Sequence, residues 1–153
     1  MSDAIRWIAE GRLTCEYLLD TCIVSEMAKK APDSKVAKWL GSQRIENLYL
    51  SWLTIGELQK GISKQGDTEK GRSLARWLKT AVLGRYVGRI FAVEREVAVE
   101  WGRICGEAER IGNPRPAVDA LIAATAVVHK MKLATRSVRD MEGMGADIIN
   151  PFE

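Results

Sequence analysis

Apolar and polar positions along the chain switch repeatedly between two periods, and the switches divide it into alternating strands and helices. Cys15 to Leu19 is a short apolar run closed by Asp20-Thr21, which reads as a strand. Ile23 to Lys30 follows as a helical turn or two, halted at Ala31-Pro32. Asp33-Ser34 can cap a second helix carrying Val36, Ala37, Trp39 and Leu40 up to Gly41. Asn47 to Leu53 is a strand pattern, after which Thr54-Ile55-Gly56-Glu57 opens a third helix.

Two longer stretches are amphipathic. Asp67 to Leu83 carries the stripe Leu74, Trp77, Leu78, Ala81 and Val82, and Glu94 to Ile111 carries Val97, Trp101, Ile104, Ala108 and Ile111. Between them Gly84 to Gly88 is a break and Ile90 to Val93 a short strand. Gly112-Asn113-Pro114 ends the second stretch, and Pro116 starts a helix that Ala117 to Val128 fills. Lys132 to Thr135 reads as a strand, Ser137 to Met144 as a short helix or turn, and Asp147 to Ile149 as a last strand. This alternation predicts an α/β domain with a central, mainly parallel sheet and helices on both faces. No repeat or linker divides it, so residues 1–153 form one domain, with 1–14 a polar, moderately helical lead-in.

Composition changes little. At 153 residues, 46% hydrophobic and 28% charged, the chain is ordinary for a globular domain and long enough to bury roughly 70% of its unfolded surface. No apolar run reaches the ~20 residues of a spanning helix, and the charged start is no secretory signal, so a cytoplasmic protein with no membrane partner is expected. Three cysteines and one histidine supply no zinc quartet, and His129 has no nucleophile and orienting acid for triad chemistry. Cys15 and Cys105 are expected to be buried, inert thiols.

The net charge of +3 is mild, but its distribution is uneven. From Lys60 to Arg89 eight basic residues face two acidic ones, net +6, whereas Ile90 to Asp119 is net −2. A basic segment beside an acidic one suits a phosphate-bearing partner, and it suits a solvated helix face equally.

Four acidic residues stand apart. Asp20 ends the first strand, at the sheet edge where open α/β sheets bind ligands, or it is a helix N-cap. Glu57 follows the second strand, where Thr54-x-x-Glu57 also fits a capping box. Asp119 interrupts Ala117 to Val128, a helix apolar on nearly every face. A carboxylate there requires a pairing partner or a cation, because the first-turn dipole benefit is under ~1 kcal/mol. Asp140 follows the fourth strand as a site acid or a solvated cap. All four fall just past a strand or near a helix start, positions that a wound sheet gathers at one edge. Carboxylates gathered in this way need a divalent cation to stay ionised, and hard oxygen donors favour Mg²⁺ or Mn²⁺. The reaction class this suggests is metal-assisted phosphodiester hydrolysis.

These residues also carry a family pattern. Leu18-Leu19-Asp20-Thr21-x-Ile23-Val24-Ser25-Glu26 and Leu50-Ser51-x-x-Thr54-x-x-Glu57-Leu58-x-x-Gly61-Ile62 resemble PIN-domain toxins of the VapC and FitB type. So do Ala117-Val118-Asp119-Ala120-Leu121-Ile122-Ala123-Ala124, Ala134-Thr135-Arg136-Ser137-Val138-Arg139-Asp140 and the ending Ile149-Asn150-Pro151-Phe152-Glu153. The resemblance implies a three-layer α/β/α fold, Mg²⁺-dependent endoribonuclease activity, a homodimer and a cognate antitoxin. It maps Asp20, Glu57 and Asp119 onto the acidic, metal-binding site, with Asp140 the better candidate for the fourth place and Ser137 a polar neighbour. Thr21 and Thr135 are placed to support carboxylates or phosphate oxygens. Cys22 departs from the Asp-Thr-Asn usual in the family.

Two readings follow. In the first the chain is a toxin ribonuclease acting on single-stranded or loop RNA, with basic side chains on flanking phosphates. In the second it is a catalytically weak PIN module that binds an antitoxin and joins it on operator DNA. Retention of the three principal acids favours the enzyme.

Overall fold

The computed structural model describes residues 15–153. The expectation for the lead-in, 1–14, lies outside them.

Five short strands form one sheet: β1 (Tyr17–Leu19), β2 (Leu48–Ser51), β3 (Ile90–Phe91), β4 (Lys132–Ala134) and β5 (Asp147–Ile149). Their order is β3-β2-β1-β4-β5 and every pairing is parallel. Tyr17 lies opposite Leu48 on one side and Lys132 on the other, so β1 is central. The chain runs outward through β2 and β3, then returns to place β4 on the far side of β1. That reversal leaves a crevice beyond the carboxyl ends of β1 and β4.

Burial alternates along β1 between two faces rather than between core and solvent, as a doubly covered parallel strand requires. Tyr17 and Leu19 join one apolar cluster with Leu48, Leu50, Ile55, Leu58 and Val82, while Leu18 joins the other with Val97, Ile104, Ile122 and Leu133. On the first face lie α1 (Thr21–Glu26), α2 (Ser34–Ser42), α3 (Trp52–Lys64) and α4 (Glu69–Trp77). On the second lie α5 (Arg95–Arg110), α6 (Ala117–Val128) and the single turn α7 (Val138–Met141). No described helix is long and apolar enough to cross a membrane.

The expected elements are present, with four corrections. The second strand stops at Ser51, whose hydroxyl accepts the Leu53 N–H at 3.1 Å and caps α3. Thr54 therefore lies inside the helix, and the Thr54–Glu57 capping box does not exist; among the described residues the buried Thr54 hydroxyl has no hydrogen-bond partner. The Asp67–Leu83 stretch is not one α-helix, because winding changes after Trp77 to a π-helical segment over Leu78–Leu83. The wider turn still keeps Leu78 and Val82 in the core. Cys15 is exposed rather than buried, since it precedes β1 instead of belonging to it, and Cys105 is half-buried. Finally, the start of α6 is open to solvent: Ala117 and Val118 are exposed, and full burial begins at Ala120.

Candidate active site

Asp20 is the first residue beyond β1 and is 7% exposed. Its backbone N–H still pairs with Ala134 O of β4 at 3.0 Å, so its position is set by the sheet. The N-cap and sheet-edge readings of Asp20 meet in one side chain. Oδ1 accepts the Thr21 N–H at 2.8 Å as the cap of α1, while Oδ2 accepts the Thr135 hydroxyl at 2.8 Å. Thr135 is the first residue beyond β4 and is fully buried. Its oxygen also accepts the Ser137 N–H at 3.0 Å, which ties the start of the α7 turn to Asp20 through one hydroxyl.

Thr21 reaches the other way. Its hydroxyl donates to Glu57 Oε1 at 2.7 Å, linking α1 to the exposed acid of α3. Asp119 projects from the first turn of α6 and is half-buried. Its carboxyl is pushed above the usual range, first by burial and then by the negative charges of Asp20, Glu57 and Asp140. The four acids singled out in the sequence thus share one electrostatic neighbourhood. Among the described residues, no ion pair involves Asp119, so the reading in which a buried Arg compensates it finds no partner. Asp140 lies in α7 and is exposed, and the Ser137 side chain makes no capping hydrogen bond there.

Cys22 occupies more of this network than its sequence suggests. Its sulfur accepts the Arg136 N–H at 3.4 Å and lies 3.8 Å from both Asp20 Oδ2 and Thr135 Oγ1. Burial pushes its thiol up, with Asp20 adding to the effect and the Arg136 N–H opposing it. The thiol serves as a soft spacer between the β1 and β4 ends rather than as an anionic ligand.

Among the described residues no trio of His, Cys, Asp or Glu closes on one point within ligating reach. The arrangement is a cluster of like charges rather than a closed cage. Its chemistry fits a hard divalent cation: the donors are carboxylate oxygens, and the charge crowding that raises the Asp119 carboxyl is of the kind a cation relieves. Asp140 is exposed and free to rotate toward the centre, whereas Asp20 is locked and Glu57, though exposed, is held on one oxygen by Thr21.

A parallel α/β domain with acids at its topological switch point places its candidate site at the sheet edge where such folds bind ligands. The PIN domain model matches residues 17–139, and the chain belongs to that family. It is 35% identical over 136 residues to the VapC ribonuclease Y4jK of Sinorhizobium fredii, covering 89% of this chain and 97% of that protein. It is 33% identical to the toxin FitB of Neisseria gonorrhoeae, covering 88% and 97%. A structure of FitAB bound to an IR36 DNA fragment superposes with a TM-score of 0.83 at 31% identity, covering 90% of this chain and 96% of that one. The chain is a PIN domain of the VapC and FitB type.

Proposed function

We propose that this protein is the toxin of a type II toxin–antitoxin pair and an endoribonuclease that hydrolyses RNA phosphodiester bonds with Mg²⁺ or Mn²⁺. The observation that carries the reading is Asp119, a carboxyl pushed up first by burial and then by the charges of Asp20, Glu57 and Asp140, with no ion-pair partner among the described residues. Asp20 and Asp119 would hold the ion directly, Glu57 would hold it or orient a water, and Asp140 would complete the negative pocket. A divalent ion at such a centre activates water and offsets charge on the leaving oxygen. Thr135 fixes one Asp20 oxygen and Thr21 holds Glu57, so the acids keep their orientation before substrate arrives. Lys60, Lys64, Lys70, Arg76 and Lys79 are exposed, and among the described residues none is in an ion pair; they supply cations for flanking phosphates.

A cognate antitoxin fits the same reading, since the neighbour FitAB is by its name a two-component assembly. A cleft of about 840 Å³ between α1, α3 and α4 begins at Thr21 and Glu57. Its lining includes the apolar Leu58, Ile62 and Trp77, and Lys29, Lys30 and Lys70 outnumber the acids Glu57 and Glu69. A segment with apolar anchors and acidic flanks would fill it and cover the acids. A homodimer is part of the proposal through family likeness. Most of both long amphipathic stripes packs in the core, with Ile111 left exposed, so its interface would draw on exposed residues such as Trp52, Ile111 and Val118.

The test is cleavage of a single-stranded RNA by purified protein with Mg²⁺, with EDTA, and with Asp119→Asn. Cleavage that needs Mg²⁺ and falls by orders of magnitude in the variant supports the enzyme. No cleavage under any condition, with antitoxin binding retained, supports a catalytically weak binding module instead.

A further inference from the structure

Arg115 precedes Pro116 and α6, yet its side chain leaves that element. Nη1 donates to the Asp140 carbonyl at 3.0 Å and Nη2 to the Glu142 carbonyl at 2.6 Å. These carbonyls close α7, a single turn whose last C=O groups have no partners within the helix. A guanidinium is a planar fork, and here it bridges two main-chain acceptors that a single ammonium could not span. Among the described residues no carboxylate forms an ion pair with it, so the cation is committed to this turn.

The turn is shaped to receive it. Gly143 has φ +80°, and a Cβ there would lie 3.2 Å from Arg115 Nη2. On the other side Pro116 has a fixed φ of −56° and its carbonyl accepts the Ala120 N–H at 3.0 Å, so Arg115 is anchored stiffly to the start of α6. One end of this clamp carries Asp119 and the other carries Asp140.

We infer that Arg115 is a positioning residue that sets the spacing of Asp119 and Asp140 by clamping α7 to the entry of α6. It completes what Thr135 begins: Thr135 ties the start of the turn to Asp20, and Arg115 ties its end to α6. The inference rests on the proposed cation-binding reading and adds a residue outside the acids themselves.

The experiment is a double-mutant cycle on the intact chain, reading Mn²⁺ affinity from the spectroscopic signal of free Mn²⁺ rather than from cleavage. Arg115→Ala is expected to weaken Mn²⁺ binding about tenfold, the scale of lost outer-shell support. Arg115→Lys should recover part of the loss. In Asp140→Asn the further change Arg115→Ala should add nothing, because the clamp acts through Asp140. Arg115→Ala affinity within about twofold of the parent, or losses that multiply in the double variant, would overturn it. If Arg115→Ala does not fold, Gly143→Ala loads the same clamp from its other side and carries the comparison. Asp119→Asn is the reference. If it binds Mn²⁺ as the parent does, the cation reading fails and the clamp with it. If it loses Mn²⁺ while Arg115→Ala does not, only the clamp fails.

Discussion

The Thr135 hydroxyl donates to Asp20 Oδ2 at 2.8 Å while accepting the Ser137 N–H at 3.0 Å, joining the ends of two strands that are adjacent in space but far apart in sequence. Because Thr135 is fully buried, both groups it serves lose water when they pair with it.

Thr135→Val keeps the shape and removes the oxygen, leaving one Asp20 acceptor and the Ser137 amide short of a partner. We expect a loss of about 1–3 kcal/mol in urea unfolding, with Thr135→Ser losing less. A valine variant as stable as the parent would show that this hydroxyl holds nothing together.

At the start of α3 the expectations for two hydroxyls have opposite signs. Ser51→Ala removes the observed cap and should cost about 1 kcal/mol. Thr54→Val removes a buried hydroxyl that has no partner among the described residues and should be neutral or stabilising. Denaturant melts that reverse this order would restore Thr54 as the cap.

Much of this molecule was legible in its sequence, and what was missed has physical causes. The alternation of strands and helices, the parallel sheet and the placement of Asp20 past β1 follow from local pattern, because a strand buried on both faces and a Leu-Leu-Asp ending look alike in sequence and in space. Asp119 was legible because a charge in an apolar helix is conspicuous. The cap of α3 was not, since Ser51 and Thr54 are both plausible caps and only sheet pairing decides where β2 stops. The π winding after Trp77 was also hidden, because the apolar stripe continues through it. Cys22 and Arg115 act through main-chain groups distant in sequence, which no local spacing encodes.

The thiols should react in an order set by exposure. Cys15 is exposed, whereas burial pushes the Cys22 and Cys105 thiols up and lowers their thiolate fraction. Timed iodoacetamide labelling at mildly alkaline pH, read by mass spectrometry, should modify Cys15 first. Cys22 labelling as fast as Cys15 would contradict its place between Asp20 and Arg136.

Asp119→Asn tests the charge balance of the site most directly. The parent carboxyl is held above its usual range, so its contribution to stability is complete below about pH 3.9 and is lost as pH rises through the folded-state value. Without divalent ions the asparagine variant should therefore match the parent in acid and become the more stable of the two as pH rises, with the gap levelling off once the carboxyl is ionised. Thermal melts in EDTA across that range measure it. Adding Mg²⁺ should raise the parent's melting temperature by mass action and leave the variant nearly unmoved. If Asp119 instead compensated a buried cation, the variant would melt earlier by several kcal/mol at neutral pH, the opposite sign. An early-melting variant that still cleaves RNA with Mg²⁺ would remove Asp119 from the mechanism and leave the acidic cluster a structural feature.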